Sequence, residues 1–368
     1  MDFNGTLMSG ETPVAKIEKG RITALMPERL PLYLAGHDDL EGWLQTRAID
    51  RHRPNSRILK KVLRLTETDD LHTVLRVHAA TITDDYWLKP EDSPGLTYEQ
   101  VRFTDDTFAE LALTGSSDSY DRDVPDAPRR RTPELTNTGS FEKCWRLVDG
   151  SWYLYKQGAL LERFSELFIA RLCATLGFPH AEYEADGPYV RTKDFTQGRY
   201  NFEPAAAIVG DNEDYAYNYD RVAQLSPALL PQYLDLLFMD ALCFNMDRHT
   251  YNYGFLRDRE TGAVVSMAPN FDNNIALVSR GYFSSPVGTS ALLIGLFVDL
   301  LREKGLHYEV PELSADAVLD AAKSVLPGED VDRSHVATLV LDRYRRLRDQ
   351  ILDLEISPPA TRQQTPQL

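Results

Sequence analysis

The sequence predicts an α+β fold in two lobes, a small β-rich lobe and a helical large lobe, preceded by a long extension. Three observations predict it. Apolar periodicity changes from two to about 3.6 between Lys156 and Leu160. Helical patterns dominate the last third, over residues 289–304, 314–326 and 333–353. One hairpin pattern stands within the helical half, where Gly254-Phe255-Leu256 and Ala263-Val264-Val265-Ser266-Met267 flank the turn-forming Asp258-Arg259-Glu260-Thr261-Gly262.

Residues 1–127 form the extension. They contain a hairpin pattern (Val14–Ile17 and Ile22–Leu25 around Lys19-Gly20), a helical stretch near Leu40 to Leu65, and the segment Asp84-Asp85-Tyr86-Trp87-Leu88-Lys89. Nothing in them carries chemistry, so the expected role is structural or docking, packed on the small lobe. A polar segment at 115–133 with Pro125, Pro128 and Pro133 reads as the linker, and its run Arg129-Arg130-Arg131 as solvated.

The small lobe is expected over 128–204. Its first feature is Thr136-Asn137-Thr138-Gly139-Ser140-Phe141-Glu142-Lys143, a polar loop whose backbone N–H groups could approach phosphate oxygens, without the Gly-Lys-Ser/Thr ending of a Walker loop. A hairpin follows from Trp145 to Lys156, with Asp149-Gly150 at its turn and Lys156 at the end of its second strand. The helix from Leu160 to Leu176 shows one apolar face (Leu161, Phe164, Phe168, Leu172, Leu176), and Gly177 and Pro179 stop it. Glu162 and Glu166, four apart, share a side of this helix; either has the spacing of a glutamate that holds Lys156.

The large lobe is expected over 205–357, with 204–220 a loop and a helix around Pro231 to Phe244 delivering the chain to its most informative stretch. That stretch is Asn245-Met246-Asp247-Arg248-His249-Thr250-Tyr251-Asn252, followed by Asp272 in Ala268-Pro269-Asn270-Phe271-Asp272-Asn273-Asn274. The intervening hairpin brings Asn252 and Asp272 back to the same end of a β-ladder, where one metal-phosphate complex touches both. Two polar residues five apart are common, and Asp272 alone reads as a turn. Together with a strand lysine and a helix glutamate, the set reads as phosphotransfer: an acid to orient a hydroxyl, and an amide and a second acid to hold magnesium on ATP. His249 reads as a hydrogen-bonded packing residue, because Asp247 already occupies the acceptor-proton position. Residues 358–368 read as a disordered polar tail.

The order Gly139-x-x-x-Lys143, strand Lys156, Ser165-Glu166-Leu167-Phe168 leading to Leu176-Gly177, Asn245-x-Asp247-x-His249-x-x-Asn252-x-Gly254-Phe255, and Ala268-Pro269-x-x-Asp272 resembles HipA-like serine/threonine kinases over about residues 130–350. The resemblance implies a bilobal protein-kinase-like fold using ATP and Mg²⁺. It implies Asp247 as catalytic base, Asn252 and Asp272 as magnesium ligands, and Lys156 as the ATP-phosphate lysine. Gly139, Ser140 and Lys143 would line the phosphate loop, and the distance to Leu176-Gly177 prefers Glu166 over Glu162. Thr136 would be a candidate for self-phosphorylation, with Thr138 and Ser140 as competitors. Met246 and Asn273 replace the residues of the eukaryotic His-Arg-Asp and Asp-Phe-Gly motifs, which separates the chain from that group. The implied partners are a protein with a Ser or Thr acceptor and, since such kinases often work as toxins, a separate antitoxin. A small-molecule kinase and a nucleotide-binding module without turnover are the alternatives.

At 368 residues the chain has room for two or three packed units. A formal net charge of −16 disfavours a general binder of nucleic acid or anionic membrane, whose affinity comes from neutralising phosphates. Cys144, Cys173 and Cys243 lack zinc or disulfide spacing, which suits a reducing compartment. The N-terminus shows no secretory pattern and no run approaches 18 apolar residues. The expectation is a cytoplasmic protein contacting neither membrane nor nucleic acid directly.

Overall fold

The computed structural model describes residues 1–50, 52–65, 70–116, 131–281 and 290–356. Arg129, Arg130, most of the 115–133 linker, residue 289 and the 358–368 tail lie outside the described residues. Three antiparallel sheets and a helical body make up the fold. The extension builds the first sheet from β1 (Gly5–Ser9), β2 (Thr12–Glu18), β3 (Arg21–Ala24) and β4 (Tyr86–Pro90), in the order β3-β2-β1-β4. The expected hairpin is β2-β3, and Asp84 to Lys89 leads into and forms most of β4. Strand β1 has no sequence signature, since Gly, Thr and Ser make up most of it; pairing with β2 and β4 on both edges forms it.

The expected helical stretch over 40–65 is broken into Leu40–Gln45 and Ser56–Val62. Pro54 disfavours helical backbone at Arg53, so the second piece starts only after it. Trp43, Arg47 and Asp84 interlock: the guanidinium stacks 4.5 Å over the indole and grips the carboxylate with both terminal nitrogens, at 3.0 and 2.7 Å. Trp87 is fully buried and donates to the Gly10 carbonyl at 2.7 Å.

The small-lobe sheet has the order β5-β6-β8-β7, from β5 (Lys143–Val148), β6 (Ser151–Lys156), β7 (Tyr183–Asp186) and β8 (Tyr189–Lys193). The helix Leu160–Leu176 runs over the interval read from the sequence, and Gly177 ends it in the left-handed conformation at φ 75°. A short helix of the extension, Ala109–Thr114, packs its Ala109, Ala112 and Leu113 against Cys144 and Tyr155 of the small-lobe sheet.

The third sheet, β11-β10-β9, contains β9 (Tyr200–Pro204), β10 (Gly254–Asp258) and β11 (Val264–Met267). Strand β9 falls on the small-lobe side of the boundary set at 204, yet it pairs with β10 of the large lobe. Gly254 permits this pairing, because a Cβ there would collide with the Glu203 carbonyl. The expected loop at 204–220 is also corrected: it holds the helix Ala206–Val209 and the start of Tyr215–Leu225. The polar cluster before Tyr215 is a cap, in which the Asp214 carboxylate accepts from the Tyr217 amide at 2.7 Å.

Helices Leu230–Cys243, Leu292–Lys304, Ala315–Ser324 and Arg333–Ile356 form the large-lobe core with Leu160–Leu176. The extension is fixed to the β9-β10 edge by polar contacts. Asp85 accepts from Asn201 Nδ2 at 2.8 Å and donates its amide to Asn201 Oδ1 at 2.9 Å. Arg257 donates to Glu203 Oε1, the Leu30 carbonyl and the Glu28 carbonyl, each at 2.6 Å. Replacing Arg257 by Ala leaves the buried Glu203 carboxylate and two extension carbonyls without their cation, at a cost of about 3–5 kcal/mol. Urea unfolding of Arg257→Ala should show that loss; a change below about 1 kcal/mol would mean that the extension is held by other contacts.

Candidate active site

Lys156 ends β6 pointing inward, since alternation on the strand turns it to the face covered by the helix Leu160–Leu176. Its Nζ lies 2.7 Å from Asp272 Oδ1, 3.1 Å from Glu166 Oε2 and 3.4 Å from the Tyr183 hydroxyl. Glu166 is fully buried, and its Oε1 accepts from the Asn273 amide at 2.9 Å. The two glutamates that spacing could not separate have different jobs here. Glu162 accepts from the Ala159 amide at 2.8 Å and caps its own helix, leaving Glu166 as the partner of Lys156.

Burial works against the Lys156 ammonium, but the Asp272 and Glu166 carboxylates outweigh it and hold its pKa well above the ordinary lysine value. Asp272 shows the reciprocal effect. Burial pushes its carboxyl up, yet Lys156, with Lys143 and Arg248, brings it down to about 2. Asp272 also sits at φ 60°, a conformation rare for residues other than glycine. The Tyr183 hydroxyl, 3.3 Å from the Asp272 amide, helps to fix it there.

The loop 245–252 follows the helix Leu230–Cys243 through Phe244, whose left-handed backbone at φ 51° turns the chain. Arg248 is buried inside it and contacts Asp240 (3.0 Å), the carbonyls of Asn252 and Phe271 (both 2.6 Å), Asn270 Oδ1 (2.9 Å) and Asn273 Oδ1 (2.8 Å). One side chain therefore locks the loop of Asp247 and Asn252 to the loop of Asp272. Sequence reading gave Arg248 and Tyr183 no role; the acid eight residues before Arg248, Asp240, is the only local signal for the first, and the second has none.

Asn252 donates its Nδ2 to the Asp247 carbonyl at 2.9 Å, which assigns Oδ1 as the free face of the amide. Among the described residues no donor meets Asn252 Oδ1 or Asp272 Oδ2, so two hard oxygens of the type magnesium takes are available. Such an ion needs few protein ligands when phosphates supply the rest. Asp247 is half-buried, and burial raises its carboxyl pKa. His249 is also half-buried and faces the cleft; its Nδ1 accepts from the Tyr251 amide at 3.3 Å, so it is hydrogen-bonded as expected but does not pack into the core.

Lys156, Tyr183, Asp247, His249, Asn252 and Asp272 border one cleft of about 760 Å³, together with Gly139, Ser140 and Lys143 of the loop after Thr136. Lys143 reaches back over Gly139, and burial pushes its ammonium pKa down to about 7. A Cβ on Gly139 would lie 2.5 Å from Lys143 Nζ, and its φ of 96° also favours glycine. Thr136 is buried, and its hydroxyl donates to the Ala80 carbonyl at 2.7 Å, so a phosphate there requires that segment to leave its seat; Thr138 and Ser140 are exposed. The extension contributes Thr46, Ile49 and Thr81 to the cleft wall.

No protein-family model and no curated protein matches the chain. Solved structures do. HipA from Shewanella oneidensis MR-1, in a structure of a toxin–antitoxin system with HipB and its operator DNA, superposes with a TM-score of 0.62 over 96% of this chain and 99% of its own, at 14% identity. A Helicobacter pylori proinflammatory kinase, CtkA, matches 58% of this chain and 95% of its own with a TM-score of 0.43 and 15% identity. The chain has the bilobal HipA-like kinase fold. Among the described residues no helix is long and apolar enough to cross a membrane.

Lys156→Met leaves the carboxylates of Glu166 and Asp272 facing each other with no ammonium between them. Burial, the largest influence on the Asp272 carboxyl, then lifts its folded-state pKa above the unfolded value. Stability is retained below the unfolded pKa near 4 and lost as pH rises through the new folded value. Relative to wild type, urea unfolding should therefore show a deficit of about 3–5 kcal/mol at pH 7.5 that shrinks toward pH 4.5. A deficit that is the same at both pH values would mean that packing rather than charge holds Lys156.

Proposed function

We propose that this chain is an ATP- and Mg²⁺-dependent kinase that phosphorylates a Ser or Thr hydroxyl of a protein. The observation that carries the proposal is the convergence of Lys156, Asp247, Asn252 and Asp272 on one cleft roofed by the Gly139 loop. A strand lysine held by a helix glutamate is the arrangement that grips ATP phosphates, and an acid beside an amide and a second acid serves hydroxyl activation and metal binding.

In this reading Asn252 and Asp272 would hold the magnesium, which would neutralise charge on the nucleotide phosphates. Lys156 now pairs with Asp272 at 2.7 Å and would share its charge with the phosphates. Asp247 accepts the proton of the attacking hydroxyl. The hydroxyl oxygen forms the new bond to the γ-phosphorus, the bond to the β-γ bridging oxygen breaks, and ADP leaves. Catalysis is then mainly positioning and charge neutralisation. Lys143, poised near neutrality, gains a reason to stay charged once phosphates enter.

A protein acceptor is supported by the order of motifs across residues 130–350. An antitoxin-type partner on a separate chain fits the likeness to HipA, since HipA was solved with HipB. The expectation of no direct nucleic-acid contact gains no support from that comparison, because the HipA complex contains operator DNA. A cytoplasmic location belongs to the proposal and rests on the sequence pattern.

Incubation with radiolabelled ATP and a proteome extract should label protein bands; ATP consumption without such bands would identify a small-molecule acceptor, and no consumption would overturn the enzyme reading. Asp247→Asn should lower phosphotransfer by about 10²–10⁴-fold and leave ATP affinity within several-fold, as measured by turnover and calorimetry. Near wild-type turnover would remove Asp247 from the base role.

The metal site is tested separately by thermal unfolding. ATP should raise the melting temperature much more with Mg²⁺ than with EDTA, and Asp272→Asn should lose most of that increment while Glu162→Gln keeps it. Equal stabilisation with and without the metal in wild type would contradict the assignment of Asn252 and Asp272.

A further inference from the structure

Arg53 belongs to the extension, yet it is fully buried beneath the Gly139 loop. Its Nη2 donates to the carbonyls of Asn137 (2.5 Å), Thr138 (3.3 Å) and Gly139 (3.0 Å), its Nε to that of Gly139 (3.3 Å), and its Nη1 to that of Lys143 (3.4 Å). A guanidinium that gathers three consecutive carbonyls dictates where the same peptides point their N–H groups. In a trans peptide, the carbonyl of one residue and the N–H of the next point in opposite directions. The amides of Thr138, Gly139 and Ser140 are therefore turned away from Arg53. All three residues border the cleft, and no acceptor meets these amides among the described residues. Successive N–H groups aimed one way form an anion-binding concavity.

The guanidinium also remains a net cation. No carboxylate lies in ion-pair range of it among the described residues, although Glu134, Glu142 and Asp50 act on it through space. Neighbouring contacts hold the seat from the same side. The Asn55 amide donates to Glu142 Oε1 at 2.9 Å, and the Ile49 amide to the Leu135 carbonyl at 3.0 Å.

We propose that Arg53 is a positioning residue for phosphate binding: from outside the two lobes it turns the Thr138, Gly139 and Ser140 amides toward the phosphates of the nucleotide. The proposal rests on the reading of this cleft as an ATP site. It assigns the extension a part in nucleotide recognition, through the backbone of the loop and without contact to the ligand.

Calorimetry with Mg-ATP and with adenosine, on the full chain, tests this. Hydrogen bonds to a charged group are worth about 1.5–3 kcal/mol each, and about 1.4 kcal/mol is tenfold in affinity. Arg53→Gln should therefore weaken Mg-ATP by about tenfold or more while leaving adenosine within about twofold, since adenosine has no phosphate to meet the amides. Arg53→Lys retains the charge but not the fork that reaches three carbonyls, so it should show most of the same selective loss, and it serves if Arg53→Gln does not fold. Unchanged Mg-ATP affinity in either variant, or an equal loss for Mg-ATP and adenosine, overturns the positioning role. Wild type that binds neither ligand would instead overturn the nucleotide reading itself.

Discussion

The arrangement of the cleft depends on one buried cation, Arg248. Its guanidinium is paired with Asp240 in the preceding helix and spends its remaining donors on oxygens of the two loops that carry Asp247, Asn252 and Asp272. Alone, a buried ion pair is weak evidence of stability, because desolvation opposes the attraction. Here the geometry lets nearly every N–H find an acceptor, and the acceptors are backbone carbonyls and asparagine oxygens of segments that would otherwise be irregular loops. The clamp defines a single spacing between the loop of Asp247 and Asn252 and the loop of Asp272. Without it, the hairpin β10-β11 would still bring Asn252 and Asp272 to the same end of a ladder, but their separation would be left to loop flexibility.

A second constraint is charge balance. Lys156 stands between two carboxylates, one fully buried and one at the cleft wall. The lysine therefore organises this end of the cleft. Glu166 is tied at its other oxygen to the Asn273 amide, so it is the fixed member, whereas Asp272 has one oxygen committed to Lys156 and one open. In the proposed kinase an incoming phosphate would compete with Asp272 for the ammonium, and a metal ion beside Asp272 would offer that carboxylate a replacement charge. The two exchanges would then compensate each other and leave no uncompensated buried charge.

Much of the fold was legible because its signals are local. The helix Leu160–Leu176 has an apolar stripe and a glycine stop, and the β10-β11 hairpin has a polar turn between β-rich runs. What escaped were features made by distant pairing. Strand β1 has little intrinsic β-propensity and exists because β2 and β4 flank it; β9 looks like the end of the small lobe until β10 claims it. At the site, residue types with few roles, a strand lysine or an acid before a short hairpin, could be named from spacing. Arg53, Tyr183 and Arg248 could not, since an arginine or tyrosine announces nothing about which carbonyl or carboxylate it will meet some tens or a hundred residues away in the chain.

That difference explains why the extension showed no chemistry as sequence. Its contributions are made through backbone groups and buried polar side chains: Asp85 on Asn201, the carbonyls of Glu28 and Leu30 on Arg257, Ala80 on Thr136, and Arg53 on the Gly139 loop. Two of these reach the β9-β10 edge and two reach the loop above the cleft. The extension thus touches both the β9-β10 edge and the loop above the cleft, and its polar contacts tie the two together. Relative motion of the lobes must strain or break these polar contacts, each of which leaves a buried group unsatisfied when lost. Part of the cleft's shape is therefore set from outside the two lobes, by the same extension that lends Thr46, Ile49 and Thr81 to its wall.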